Sequence, residues 1–247
     1  MLRTFLWLCL AMSVCARADA DEFGPSQRRA FTDSEVQADA GRRYAAILAD
    51  LARHSELDTD RELLARAKHV MNILVATAVT FKPASARWPW EIHVTNSPQY
   101  DGFCMAGGKL LLGAQFVHKL RLTDAELAMV LAHEVAHALA EHQGEELSSA
   151  RKLLPAKYPR ALDDVVSAMK FDYGLQIKLA ALSRQQELEA DRLGLILASR
   201  AGWPPASLVV FFEKLAGSEE RENNDITYPP ADVRLKRAQV TAAVLER

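Results

Sequence analysis

From Thr123 onward, apolar residues recur at helical spacing. Leu127, Val130, Leu131, Val135, Ala138 and Leu139 follow one another with no glycine or proline before Gly144. Thr123-Asp-Ala-Glu126, just ahead of them, has the form of a capping box, in which a hydroxyl and a glutamate reciprocally satisfy the free N–H groups of a first helical turn. The spacing therefore predicts a helix opening at Thr123. Thr32-Asp-Ser-Glu35 and Thr59-Asp-Arg-Glu62 repeat the signal and predict helices over roughly 34–54 and 60–78. Helical patterns continue over 145–153, 160–170, 175–200, 206–216 and 231–245, with Gly202-Trp-Pro-Pro205 stopping the longest of them.

Two short segments break this pattern. Trp88-Pro-Trp-Glu-Ile-His-Val-Thr95 alternates Trp90, Ile92 and Val94 and closes on Asn96-Ser-Pro98, as a strand ending in a turn does. Gly107-Gly108 leads into Lys109-Leu-Leu-Leu112, closed by Gly113, which predicts a second short strand entered through a flexible turn. Ser218–Asp225 is polar throughout and reads as a loop or solvated face. The expected fold class is α+β, mainly α, with a small sheet.

Composition narrows the picture. The 247 residues are 49% hydrophobic and 25% charged, enough apolar material for one domain with a sizeable core and too much for a disordered chain. A formal charge of −2 offers no cationic excess to meet a polyphosphate, which argues against nucleic acid as the principal partner. Residues 1–20 read as a cleaved export signal: Arg3, an apolar run from Phe5 to Cys15 too short to span a bilayer, then Ala16-Arg-Ala18 and Ala18-Asp-Ala20 as small-x-small cleavage sites. The alternative is an N-terminal core helix or anchor. Acylation of Cys15 is disfavoured because Val14 is bulky where a lipoprotein signal has a small residue. Cleavage would remove Arg3, Arg17 and Asp19, taking the charge from −2 to −3, and leave Cys104 without an intramolecular disulfide partner. Residues 21–247 are then expected to form a single domain.

The helix after Thr123 contains His133-Glu134-Val135-Ala136-His137. Histidines at i and i+4 project from one face, so both imidazoles can reach one cation, and the glutamate between them is offset towards water activated by that cation. This points to zinc-dependent hydrolysis with His133 and His137 as ligands and Glu134 as general base and acid. A third ligand is required. The positions that would extend the motif in metzincins hold Ala140 and Gln143, and His142 is out of phase and reads as surface. In Gln186-Glu187-Leu188-Glu189-Ala190-Asp191, Glu187 and Asp191 share a helical face and Glu189 points away. Glu187 is assigned as third ligand and Asp191 as the outer acceptor of a ligand imidazole N–H.

His133-Glu-Val-Ala-His137 followed about fifty residues later by Glu187-x-x-x-Asp191-Arg-x-Gly194, with Phe103-Cys-Met-Ala-Gly-Gly108-Lys-Leu-Leu upstream, resembles the HtpX, CAAX-prenyl-protease and Oma-like family of gluzincin metallopeptidases. The resemblance covers roughly 90–240 and implies a zincin-like domain, one Zn2+ per chain and polypeptide substrates. With an export signal and no long apolar run, the chain is similar to the soluble periplasmic branch, which implies envelope protein quality control and peripheral association with membrane or envelope assembly machinery. It also implies an edge strand that receives substrate by β-augmentation, here Gly107, Gly108, Lys109, Leu110 and Leu111. Asp101-Gly102-Phe103 stands where relatives carry Asn-Ala-Phe, and Ala106 where proline is common.

A larger departure is Thr227-Tyr228-Pro229-Pro230, with Arg234 beyond it, where relatives often carry His-Pro and a later arginine. Tyr228 has three readings: donor to a developing oxyanion, a phenolate that holds the enzyme latent, or part of a Tyr-Pro-Pro turn with Arg234 in a structural ion pair. A latent zincin-like protein acting as a chaperone-like binder of envelope clients is the alternative to a peptidase. His54, His69, His93 and His118 lack ligand spacing, Cys104 has no paired base, and Trp88, Trp90 and Trp203 read as core.

Overall fold

In the computed structural model, which describes residues 29–218 and 226–247, helices surround a three-stranded sheet. The export-signal reading, with Cys9 and Cys15, and the polar segment after Ser218 lie outside the described residues. In chain order the elements are α1 (Asp33–Arg53), α2 (Arg61–Phe81), a 3-10 turn (Pro83–Arg87), β1 (Glu91–Thr95), β2 (Gly102–Met105), β3 (Lys109–Gly113) and α3 (Ala114–Lys119). They continue with α4 (Asp124–Leu139), α5 (His142–Leu153), α6 (Leu162–Phe171), α7 (Tyr173–Arg200), α8 (Pro205–Gly217) and α9 (Ala231–Leu245). Among the described residues no helix is long and apolar enough to cross a membrane.

The capping boxes at Thr32 and Thr123 are both formed. The one expected at Thr59 is not. Asp60 caps α2 instead, accepting from the Leu63 N–H at 3.0 Å, while the Thr59 hydroxyl accepts from the Asn96 amide. A short aspartate next to the first turn reaches a free N–H without the glutamate that a threonine box requires.

The sheet order is β1-β3-β2, with β1 parallel and β2 antiparallel to β3. Lys109–Gly113 is thus the central strand, and the expectation that Gly107, Gly108, Lys109, Leu110 and Leu111 form the open substrate edge is corrected. The cause lies in the three leucines. Leu110 and Leu112 bury with Ile92 and Val94 in the main core beneath α2 and α4, while Leu111 packs on the opposite face with Tyr44 and Leu51 of α1. A strand covered on both faces needs a continuous apolar run and belongs inside the sheet. The edge strands are β1 and β2; the four residues of β2 are all half-buried, and its inner side pairs with β3 through Phe103 opposite Leu111.

Gly107 and Gly108 have a different role: they make the β2–β3 turn, with φ of +80° and +79°. A Cβ on Gly108 would lie 2.3 Å from the Trp90 ring, so both conformation and space demand glycine there.

Candidate metal centre and cleft

Helix α7 lies across α4, and one stripe of α7 does three jobs. Glu187, Asp191 and Gly194 recur at helical spacing on it. A Cβ on Gly194 would lie 2.7 Å from the backbone nitrogen of His133 and 2.9 Å from its Cα, so only glycine lets the two backbones approach closely enough for the carboxylates to reach the histidines. Ala136 and Ala190, both fully buried, pack at the same contact. Gly194→Ala is expected to cost about 1–3 kcal/mol of unfolding free energy through overpacking, and to weaken metal binding by displacing His133. Denaturant unfolding and a zinc titration on one preparation check both.

The Nε2 atoms of His133 and His137 are 3.1 Å apart. His133 Nε2 lies 3.4 Å from Glu187 Oε2, and His137 Nε2 lies 3.4 Å from Glu187 Oε1. One donor atom from each residue falls within 4.8 Å of the other two. Glu187 Oε2 is buried without a hydrogen-bond partner in the structure. Buried carboxylate oxygens are ordinarily satisfied. A cation drawn between the two imidazole nitrogens and this carboxylate could satisfy that oxygen, and a nitrogen, nitrogen, oxygen set with an open fourth position suits zinc.

The surrounding charges hold this geometry. Asp191 Oδ1 lies 3.0 Å from His133 Nδ1, on the side of the ring away from the donor cluster. Arg234, from α9, donates two hydrogen bonds to Asp191 at 2.7 and 2.6 Å, and both side chains are buried. Burial opposes ionisation of Asp191, but the Arg234 guanidinium outweighs it and holds the carboxyl below its ordinary value. Burial likewise disfavours a charged His133, yet the neighbouring Asp191 and Glu187 carboxylates push the ring up to about 10, so in the absence of a cation a proton competes for the same donor atoms. Glu187 is held well below the usual carboxylate range: the two histidines outweigh its burial.

His133, His137, Glu187 and Arg234 line a cleft of about 370 Å³. Glu134 lines it beside the donor cluster and is not one of the three donors. Gly102–Ala106, which includes the open edge of β2, forms a wall. Trp88, Phe116, Val130 and Phe211 give the cleft an apolar lining, so Trp88 belongs to the cleft as well as to the core margin. Tyr228 lines the same cleft and is 41% exposed. Cys104, on β2, is driven well above its ordinary thiol value by burial, with Glu134 adding to the effect, which leaves it inert as a nucleophile.

His142 does not lie on the surface. It is 3% exposed, and its Nδ1 lies 2.9 Å from Nδ1 of His137. Spacing along α4 could not show this, because the chain breaks helix at Glu141, which takes left-handed φ of 59° before α5 begins. Lys82 and Arg29 both pair with the Glu141 carboxylate and hold this turn. Glu189, expected to point away, faces His142 Nε2 at 3.6 Å. Of the other histidines, His93 is satisfied by Asp58 and Glu91, His118 pairs with Asp60 on the surface, and His54 and His69 are exposed.

A helix-borne His-x-x-x-His pair completed by a glutamate from a second helix, beside a small sheet whose edge strand β2 lines the cleft, defines the gluzincin class of zincin-like folds. The profile of Peptidase family M48 matches residues 64–242, and this chain belongs to that family. It is 34% identical over 129 residues to Mitochondrial metalloendopeptidase OMA1 of Arabidopsis thaliana, covering 51% of this chain and 26% of that protein. It is 28% identical over 185 residues to Beta-barrel assembly-enhancing protease of Yersinia pestis, covering 68% and 36%. The OMA1 protein of Saccharomyces cerevisiae is 34% identical over 139 residues, covering 54% and 39%. The chain thus spans well under half the length of each of these relatives.

Proposed function

We propose that this chain is a zinc-dependent metalloendopeptidase, with His133, His137 and Glu187 holding the metal. The observation that carries the reading is the convergence of two Nε2 atoms on the carboxylate of Glu187, one towards each oxygen, in a cleft lined by the edge strand β2. A zinc ion held there supplies Lewis acidity, which acidifies water and polarises a carbonyl. Glu134 accepts a proton from the attacking water and delivers it to the leaving amine. The β2 edge pairs with an extended peptide backbone, and the apolar lining from Trp88, Phe116, Val130 and Phe211 favours an apolar side chain beside the scissile bond. Tyr228 lines the same cleft, which supports a role as hydrogen-bond donor to the oxyanion that develops during attack. An unchanged kcat/KM in Tyr228→Phe would assign it to the turn instead.

The resemblance to Beta-barrel assembly-enhancing protease, together with the export signal read in residues 1–20, supports a periplasmic role in envelope protein quality control. The deciding experiment is metal analysis and casein cleavage on purified protein, with Glu187→Ala alongside. Wild type is expected to carry one zinc per chain and to cleave. Losing an outer partner of a ligand costs about 10–100-fold in affinity, so losing a ligand in Glu187→Ala should weaken zinc by about a hundredfold or more. A wild-type protein that binds no zinc, or an unweakened Glu187→Ala, overturns the assignment.

A further inference from the structure

The two metal-binding histidines are supported by different chemistry. His133 leans on an ionised carboxylate, Asp191, fixed in turn by Arg234. Among the described residues, no carboxylate is paired with Nδ1 of His137. What stands there is His142, with the two Nδ1 atoms 2.9 Å apart.

Tautomers decide what that contact is. If Nε2 of His137 faces the metal, as its approach to Nε2 of His133 and to Glu187 requires, the neutral ring carries its hydrogen on Nδ1, and Nδ1 can only donate. Nδ1 of His142 must then be the acceptor. A neutral imidazole that accepts at Nδ1 carries its hydrogen on Nε2, and this nitrogen, buried and without a hydrogen-bond partner in the structure, faces the Glu189 carboxylate at 3.6 Å. The directions are consistent from end to end: His142 can accept from His137, and its remaining N–H is left on the side of the Glu189 carboxylate.

The backbone serves the same end. His142 is the first residue of α5 and follows directly on the left-handed Glu141, a conformation that a non-glycine residue holds only where its surroundings fix it. Lys82 and Arg29 fix it from two separate elements, and Lys82 also donates to the last carbonyl of α4, that of Leu139, at 2.9 Å. Gln186 donates to the backbone carbonyl of His142 at 3.4 Å.

We propose that His142 is a positioning residue: by accepting the Nδ1 hydrogen of His137 it fixes that ring's tautomer and aims its Nε2 at the metal, with Glu189 holding His142 in the complementary tautomer. The proposal rests on the metallopeptidase reading and adds to it a residue that is not one of the three metal donors. It gives the centre one charged and one neutral outer support.

The zinc-loaded wild-type protein tests this directly. Long-range proton–nitrogen correlation spectra of its imidazoles should show His137 with hydrogen on Nδ1 and His142 with hydrogen on Nε2; His142 in the opposite tautomer overturns the proposal. Two variants supply a second readout, the zinc affinity of metal-stripped protein measured against a chromophoric chelator. His142→Leu, similar in size but without an acceptor, should bind about 10–100-fold more weakly. His142→Asn, whose amide oxygen can take the place of Nδ1, should recover most of that loss. Equal affinities in all three proteins, or equal losses in the two variants, would make His142 a packing residue only. A wild type that binds no zinc removes the parent reading along with this one, whereas a wild type that binds and cleaves with an unaffected His142→Leu removes this inference alone.

Discussion

Glu134→Gln is expected to bind zinc as tightly as the wild-type protein while its kcat/KM on a fluorogenic peptide falls by about 10²–10⁴-fold. The reasoning begins on the helix. One residue beyond His133, the Glu134 side chain is rotated off the ligand face and into the cleft, and it is absent from the donor cluster formed by His133, His137 and Glu187. Glutamine preserves its size and its place on α4. An amide cannot take a proton from water, so the chemical step fails while the metal stays. The experiment pairs metal content with a steady-state assay on one preparation. Activity within a few-fold of wild type would dismiss Glu134 as the base, and a parallel loss of zinc would make it a ligand rather than a base. The same variant also separates a peptidase from a binding protein, because only the former loses its cellular effect.

Replacing Arg234 should do more to the fold than replacing any residue in contact with the metal. Arg234 and Asp191 are both buried and joined by two hydrogen bonds, so Arg234→Met leaves a carboxylate buried next to His133 with its main compensation removed. Breaking such a pair from one side costs about 3–5 kcal/mol. For a chain of this size that lowers the melting temperature by roughly 10 °C. Zinc affinity should fall as well, by about 10–100-fold, since Asp191 can no longer be held in place against His133. The double variant Arg234→Met/Asp191→Leu separates the two effects. It should regain much of the stability, because no lone charge is buried, and none of the affinity, because His133 still lacks its acceptor.

The pH dependence of the same pair has a definite sign. The folded Asp191 carboxyl lies below its ordinary value of 3.8, so the stability it contributes is fully present above that value and is lost as pH falls through the folded one. Removing Arg234 brings the folded value up, so the variant should begin to lose stability at a higher pH than wild type during acid unfolding. Identical acid transitions for the two proteins would show that the pair carries no linkage.

How much of this was legible in the chain depends on the range of the interaction concerned. Thr123 and Glu126, the period of Leu127, Val130 and Leu131, and the one-turn spacing of His133 and His137 are local facts; a helix is set by hydrogen bonds four residues apart, so periodicity and a capping box suffice to read it. Glu187 and Asp191 could be picked out for the same reason, as two carboxylates one turn apart on a helix long enough to be recognised. Strand order could not be read this way. Lys109-Leu-Leu-Leu112 looks the same in sequence whether it closes a sheet or sits within one, and its central place follows from α1 covering the Leu111 face while α2 and α4 cover the Leu110 and Leu112 face. Gly102–Met105, with few β-forming residues and an unremarkable pattern, becomes an edge strand only because β3 is occupied on its other side by β1.

His142 marks the same boundary within the site itself. Spacing counted along a continuous helix puts it out of phase with His137, and it does lie out of phase; what brings the rings together is a left-handed Glu141, held by Lys82 from the end of α2 and by Arg29 from ahead of α1. The meaning of Gly194 likewise appears only where α7 meets the backbone of His133. By itself, then, the chain determined most of its helices, though not the short α3, and two histidines able to share a cation with the carboxylates able to complete the set, because each rests on contacts within one or two helical turns. Which strand edge lies open to the cleft, which ring supports His137 and why α7 needs a glycine were decided by elements packing against one another, since those contacts join residues that the sequence keeps far apart.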